Sequence, residues 1–454
     1  MQPNVIMLVA DDHRQESIGG YGNEQVRTPN LDRLMREGTS LQRTYTMGGT
    51  SPAVCVPARA ALHTGVNWFR ASSAPEAADY HDVMTIRPEL ETLGFQLRKA
   101  GYHTFAVGKW HNDKRSFSES FADGAKIFFG GDGDPMRLPV QDYDPLGQFA
   151  DTEAYVDGRF STDMFADAAI DFIDQYDSPQ PFFLYVAFTS PHDPRTPPES
   201  FANSYSPEEI RLPANWMPAH PFDNGEMEVR DEKLELWPRD RSRIRKHIAD
   251  YYGMISHMDF KIGQILQALN DKGLREHTHI VYTSDHGLSL GQHGLMGKQN
   301  LYEHSVRIPV IWSGPDIPKD HRIEALTHQV DLYPTICRLA SAVIPDDLDG
   351  YDLLPLIRSE VSSVRSEVVA VYRSCQRMIC DGRWKLIRYY AIPEHSLGTN
   401  CLQLFDLEND PMETCNLAFR YEQRERIADL ISRLNLWMAG NGDPLANERF
   451  EIQY

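Results

Sequence analysis

The sequence predicts an α/β fold, with a large, mostly parallel sheet flanked by helices over residues 1–350 and a smaller α+β subdomain containing an antiparallel sheet over residues 351–454. Three observations predict it. Short apolar runs alternate with helix-period patterns for most of the chain, and beyond about residue 350 the texture changes to closely spaced strands and tight turns. Acidic pairs also stand directly after two of the apolar runs, where the carboxyl ends of parallel strands face a ligand crevice.

The runs Asn4 to Ala10, Tyr102 to Val107, Phe182 to Phe188, His279 to Thr283 and Pro309 to Ser313 read as buried strands. Between them, Leu90, Leu93, Leu97 and Ala100 hold one helical face, and Gly101 stands where a left-handed C-terminal cap belongs. A longer helix from about Arg243 to Gly273 carries Ile248, Tyr252, Ile255, Met258, Ile262, Ile265 and Leu269. The stretch from Pro191 to Trp237 is proline-rich and too long for a plain connection, so it reads as a lid or lip over a site. After helix-like Val330 to Ala342, the runs Val368 to Tyr372, Arg377 to Cys380, Trp384 to Tyr389 and Leu402 to Asp406 read as strands joined by turns such as Asp381-Gly382. Tyr421 to Met438 reads as a closing helix.

With 24% charged and 41% hydrophobic residues, the chain lies in the globular range, which excludes a disordered, collagen-like or multi-span membrane protein. Its 45 Lys+Arg against 65 Asp+Glu give a net charge of −20, so no nucleic-acid partner is expected, because that partner needs a basic footprint. An anionic substrate must then be held by a local cluster of cations. No apolar run approaches the ~20 residues a membrane helix needs, so no membrane anchor is expected. The opening Met-Gln-Pro-Asn lacks the pattern of a signal peptide, which predicts a cytoplasmic protein, or a periplasmic or secreted one if a leader was removed. Cys375, Cys380, Cys401 and Cys415 read as reduced structural thiols, with one disulfide in the tail or a zinc site as the alternatives.

Asp11-Asp12 and Ser284-Asp285-His286-Gly287 each follow a predicted strand directly. Meeting at one crevice, three carboxylates and an imidazole repel one another unless a cation sits between them; the oxygen donors favour Ca²⁺ or Mg²⁺, and His286 also suits Mn²⁺. Singly, each acidic pair also reads as a turn or helix cap. Cys55-Val56-Pro57-Ala58-Arg59 follows the small residues Gly48, Gly49, Thr50 and Ser51, and Pro57 suits a first helical turn. Cys55 would then lie at a helix N-terminus, the place for a nucleophile next to an anion, or simply for a buried small residue.

Cys55-x-Pro57-x-Arg59, continued as Leu62-His63-Thr64-Gly65, resembles the signature of the formylglycine-dependent type I sulfatases of the alkaline phosphatase superfamily. The resemblance runs along nearly the whole chain, through Pro3 to Asp12, Thr28-Pro29-Asn30-Leu31-Asp32, Gly108-Lys109-Trp110-His111, Ser190-Pro191-His192, Thr283 to Gly287, Gly297-Lys298, Asp331 to Thr335 and Leu404 to Leu417. It implies an alkaline phosphatase-like catalytic domain over 1–350 and a subdomain over 351–454 that completes the substrate pocket. It also implies that a maturation enzyme oxidises Cys55 to formylglycine (3-oxoalanine), whose hydrated aldehyde is the nucleophile. Asp11, Asp12, Asp285 and His286, with the group at position 55, would hold a divalent cation, Ca²⁺ first and Mg²⁺ or Mn²⁺ as alternatives. Arg59 and Lys109 would hold the diol and the sulfate, His111 would take the second hydroxyl's proton, and His192 and Lys298 would bind sulfate and protonate the leaving alcohol.

The function so implied is release of inorganic sulfate from a sulfate monoester, on a sulfated carbohydrate or a small organic sulfate. One departure matters: many members of the family carry Asn where this chain has His286, and an Asp-His pair also occurs in family branches acting on uronic acid sulfates and in related phosphonate and phosphodiester hydrolases. A phosphonate monoester or phosphodiester hydrolase is therefore the alternative, and a silent sulfoglycan-binding protein on the same fold is a second. Gly131-Asp132-Gly133-Asp134-Pro135 reads as a turn, since it lacks EF-hand spacing. The basic run Arg239, Arg241, Arg243, Arg245 and Lys246 reads as a solvated face or a rim that recruits a polyanion, and Trp216, His220 and Trp237 as sugar contacts.

Overall fold

A computed structural model describes residues 2–49, 51–72, 85–392 and 397–447; Thr50 of the small-residue stretch lies outside them. Its centre is an eight-stranded sheet in the order His321–His328, Thr39–Tyr45, Arg307–Ser313, Thr278–Ser284, Asn4–Ala10, Phe182–Ala187, His103–Lys109, Asp123–Phe128. Only Arg307–Ser313 runs against the others, pairing antiparallel with both neighbours. The expected mostly parallel sheet is therefore present.

The central strands carry continuous apolar runs because both faces are covered. Val5, Met7 and Val9 point into one core with Leu62, Leu97 and Ile336, while Ile6, Leu8 and Ala10 point into the other with Leu34, Phe165, Met258 and Ile262. The helices Cys55–Thr64, Leu93–Lys99 and Leu332–Leu339 thus cover one face, and Pro29–Arg36, Ser161–Gln175 and Arg241–Asp271 the other. The long helix starts where Asp240 accepts hydrogen bonds from the N–H groups of Ser242 and Arg243, which fixes its first turn two residues before the periodic pattern begins. Gly101 and Gly273 both take positive φ just beyond their helices, as caps require.

A second sheet pairs Cys401–Asp406, Trp384–Tyr389, Gln376–Cys380 and Val368–Tyr372 antiparallel in that order. Its fifth strand is Gly48–Gly49, from the amino-terminal part of the chain, parallel to Val371 and Tyr372. Both glycines are required by close approach: a Cβ at Gly48 would lie 2.3 Å from the Val371 carbonyl oxygen, and one at Gly49 would lie 2.2 Å from Pro57 Cγ. This contact seats the helix that begins at Cys55 against the carboxyl-terminal sheet. The closing helix Arg424–Gly440 packs Ile427, Leu430, Leu434 and Met438 into the adjoining core.

The segment from Pro191 to Trp237 is anchored rather than loose. It buries Asn215, His220, Asp231 and Glu232 and contains only short helical turns. All six cysteines are free thiols. No helix among the described residues is long and apolar enough to cross a membrane.

Candidate active site

The carboxyl ends of the strands Asn4–Ala10 and Thr278–Ser284 lie side by side, with Ala10 opposite Ser284, and deliver Asp11, Asp12 and Asp285 to one point. The helix Cys55–Thr64 begins at the same point. Ligand atoms of Asp11, Asp12, Cys55 and Asp285, all buried, lie within 4.8 Å of one another. Cys55 Sγ is 3.3 Å from Asp11 Oδ1 and 3.9 Å from Asp12 Oδ1. Position 55 is thus inside the carboxylate cage.

Asp12 holds a left-handed backbone, φ 64°, at a cost of order 1 kcal/mol or more for a residue with a Cβ. Two bonds hold it there: its N–H donates to Asp285 Oδ1 at 3.1 Å, and the Tyr251 hydroxyl donates to its carbonyl at 2.7 Å. His286 stands outside the four-residue group. Its Nδ1–H donates to the Ser305 carbonyl at 3.1 Å, and its buried Nε2 has no partner. That arrangement leaves the Nε2 lone pair available to a metal, and burial, followed by Lys298, pushes its pKa down to about 3, so the ring is neutral.

Cations surround the carboxylates. Arg59, fully buried, donates from Nε to Asp285 Oδ2 at 2.9 Å and from NH1 to the Lys109 carbonyl at 2.9 Å and the Tyr185 hydroxyl at 3.3 Å, leaving NH2 without a partner. Lys109, at the end of its strand, pairs with Asp11 Oδ2 at 2.5 Å and donates to the Gly131 carbonyl. Lys298 Nζ is 2.8 Å from both oxygens of Asp12 and 3.0 Å from Cys55 Sγ. Burial alone would raise the Asp11 carboxyl, but Lys109, His192, Arg59 and Lys298 together outweigh it and hold the group well below the usual range. Burial likewise would depress Lys298, yet Asp12, Cys55 and Asp11 lift it well above. The local cluster of positive charge that an acidic protein needs for an anionic ligand is therefore present.

His192 donates from Nδ1 to the Asp193 carbonyl at 2.7 Å, which turns Nε2 toward Asp12 Oδ2, 3.6 Å away. His111, also at positive φ, is half-buried with its Nδ1 shielded and unpartnered; burial, then Lys109 and Arg59, push its pKa well down, so the ring is neutral.

Several residues at the site carry no sequence signal of their own. Gly131, read as part of a turn, supplies the carbonyl that Lys109 uses and packs so closely that an added Cβ would lie 2.7 Å from His111 Nε2. Glu232 accepts from the N–H groups of Met296 and Gly297, the residues before Lys298. Only long-range contacts assign these roles. Conversely, the three expected sugar contacts are engaged within the fold: Trp216 and Trp237 lie under Arg241 and Arg239, each 4.1 Å from ring centre to guanidinium, and His220 bonds the Phe222 carbonyl and the Tyr302 hydroxyl. In the basic run, Arg239 is buried against Glu232, while Arg243 and Lys246 pair with Glu235 and Asp250 at the surface.

A sulfatase family model matches residues 3–342, and a model of the N-sulphoglucosamine sulphohydrolase carboxyl-terminal region matches residues 291–439. An arylsulfatase of Clostridium perfringens is 27% identical, with 94% of this chain and 92% of that protein aligned. Arylsulfatase K of Canis lupus familiaris is 27% identical over 93% of this chain and 80% of its own length. Among solved structures, a protein in complex with its substrate D-glucosamine-2-N,6-O-disulfate superposes with a TM-score of 0.80 at 23% identity, covering 99% of this chain and 100% of that one. The phosphonate monoester hydrolase of Agrobacterium radiobacter superposes at 0.74 with 21% identity, over 97% and 96% of the two chains. With three quarters of the chain matched by one family model and the Cys55 motif set inside its carboxylate cage, the chain belongs to the sulfatase family.

Proposed function

We propose that this sulfatase-family hydrolase releases inorganic sulfate from a sulfate monoester, using formylglycine made from Cys55 by a maturation enzyme and a divalent cation. Ca²⁺ is the first choice, with Mg²⁺ or Mn²⁺ as alternatives. The observation that carries the proposal is the setting of Cys55. A nucleophilic cysteine needs surroundings that favour its thiolate, but burial, then Asp11 and Asp285, raise this thiol well above its ordinary pKa. The surrounding carboxylates thus disfavour a thiolate at position 55, whereas an aldehyde hydrate placed against Lys298 and the carboxylates has hydrogen-bonding partners on both sides.

The donor set fits a hard cation. Asp11, Asp12 and Asp285 supply oxygens and His286 an unpartnered nitrogen. Arg59, Lys109 and Lys298 balance the three carboxylates, so a bound divalent ion would leave the site positively charged and ready for the singly charged sulfate ester. When bound, such an ion would lower the pKa of the attacking hydroxyl and neutralise charge on the sulfate.

The chain's own groups do the rest. Arg59, fixed by Asp285 and the Lys109 carbonyl, offers its free NH2 to an oxygen of the sulfate or diol, and Lys109 holds the opposite charge on Asp11. Neutral His111 accepts the proton of the second hydroxyl at Nδ1. Lys298 and His192, both turned toward Asp12, protonate the departing alcohol, where cleavage leaves negative charge. The names of the aligned relatives support an aryl sulfate or a sulfated sugar as substrate.

The test combines mass spectrometry of the peptide containing residue 55 with turnover of 4-nitrophenyl sulfate and a matched aryl phosphonate. The aldehyde and preferred sulfate release are expected. Full activity with an intact thiol would contradict the proposal, and preference for the phosphonate would transfer the chain to the alternative hydrolase class, whose fold it shares.

A further inference from the structure

Several arginines wholly or partly withdrawn from water in this protein are matched by carboxylates: Arg59 by Asp285, Arg230 by Asp193, Arg239 by Glu232 and Arg377 by Asp443. Arg195 is different. It is half-buried, its Nε is shielded and unpartnered, and no carboxylate of the described residues lies within ion-pair distance. Its nearest acidic neighbour in sequence, Asp193, is already engaged by Arg230 and faces His192 Nδ1 at 3.6 Å. A partly desolvated guanidinium with no carboxylate in contact keeps donors free for a ligand, and its planar fork matches carboxylate or sulfate oxygens.

Its place connects this charge to the active site. Arg195 follows His192 by three residues, which span at most about 10 Å of chain. The segment beyond it rests on the long helix, where a Cβ at Gly253 would lie 3.1 Å from Pro197. Arg195 acts electrostatically on Asp193, His247 and Tyr251, and the Tyr251 hydroxyl bonds the Asp12 carbonyl at 2.7 Å. It therefore sits on the side of the site where His192 and Lys298 meet Asp12, the side assigned above to the leaving alcohol.

We propose that Arg195 is a specificity-determining residue that binds a second anionic group on the alcohol portion of the substrate, so that the preferred sulfate ester carries a carboxylate or another sulfate besides the one removed. The inference rests on the proposed sulfatase reading and deepens it.

Two measurements test it. In matured protein, phenyl sulfate is compared with carboxyphenyl sulfates and a benzene disulfate, in wild type and in Arg195→Ala and Arg195→Lys. Loss of one charged hydrogen-bonding partner predicts that Arg195→Ala raises KM for the dianionic substrates about tenfold, with KM for phenyl sulfate unchanged and Arg195→Lys intermediate. The carboxylate and disulfate arms show which anion is preferred. Equal effects on the singly charged phenyl sulfate and the dianionic substrates, or no effect on either, would overturn the inference while leaving the sulfatase reading intact. Calorimetric binding of the same compounds to the unmatured Cys55 chain needs no turnover. A preference for dianions that disappears in Arg195→Ala, in a protein that releases no sulfate after maturation, would keep the subsite and sink the hydrolase reading; no preference in the wild type would sink the subsite.

Discussion

The Lys298 ammonium touches Cys55 directly, 3.0 Å from its sulfur, while lying 2.8 Å from each oxygen of Asp12. One side chain thus links the proposed nucleophile position to the carboxylate cage. Lys298→Met keeps the apolar stem and removes the proton donor. In matured protein its kcat for an aryl sulfate should fall by about 10²- to 10⁴-fold, the range of general acid catalysis. The loss should be smaller for substrates with better leaving groups, which need less protonation. A uniform loss across leaving groups would remove Lys298 from that role.

Metal removal should destabilise the protein through the same cage. A ligand that binds only the folded state at 100 times its Kd stabilises by about 2.7 kcal/mol. Adding Ca²⁺ to chelator-treated matured protein should raise Tm accordingly. Asp285→Asn keeps the shape of the side chain but removes the charge shared with Arg59, and should show little or no Ca²⁺-dependent rise. An undiminished rise in that variant would place the ion elsewhere.

Much of this site was legible in the sequence because it is built at strand ends. Asp11, Asp12 and Asp285 follow continuous apolar runs, and a parallel sheet brings such ends together whatever the intervening chain does. Cys55 announces itself through Pro57 and the family motif. The strands Thr39–Tyr45 and His321–His328 were illegible for a physical reason: Thr39, Ser40, Thr44 and Thr327 are buried polar residues, and Thr44 and Thr327 bond each other at 2.8 Å, so neither strand shows a continuous apolar run. The observed strand His103–Lys109 also runs two residues past the apolar stretch and ends on the catalytic candidate itself, because the buried charge of Lys109 is satisfied by Asp11. Gly131 and Glu232 were beyond reach, since their partners are separated from them by 22 and 65 residues.

Gly131 tests how tightly the site is packed. Its carbonyl fixes Lys109, and a methyl group added at its Cα would press on the His111 ring from 2.7 Å. Gly131→Ala should lower kcat by about 10- to 100-fold, the scale of an ångström-sized misplacement of a reacting group. The denaturation midpoint should change little, because the displaced ring is at the site rather than in either core. Wild-type kcat in this variant would show that His111 has no positional demand.

Glu232 offers a test of how the Lys298 loop is held. It is buried against Arg239 and accepts from the N–H of Gly297 at 2.9 Å and of Met296 at 3.0 Å. Burial nevertheless dominates over Arg239 and these N–H groups and raises its pKa from 4.5 to about 7. A carboxyl whose folded pKa lies above its unfolded value binds its proton more tightly when folded. Its contribution to stability is therefore full below pH 4.5 and is lost as the pH rises to about 7. At about 1.4 kcal/mol per pH unit, the loss amounts to at most about 3.5 kcal/mol. Glu232→Gln keeps a carbonyl acceptor for the two N–H groups but does not titrate. Urea unfolding between pH 4.5 and 7.5 should therefore show the wild type losing stability more steeply than the variant, by up to that amount. Parallel curves would mean that Arg239 keeps Glu232 ionised throughout, and the loop before Lys298 would then be held by a permanent ion pair rather than by a proton-dependent one.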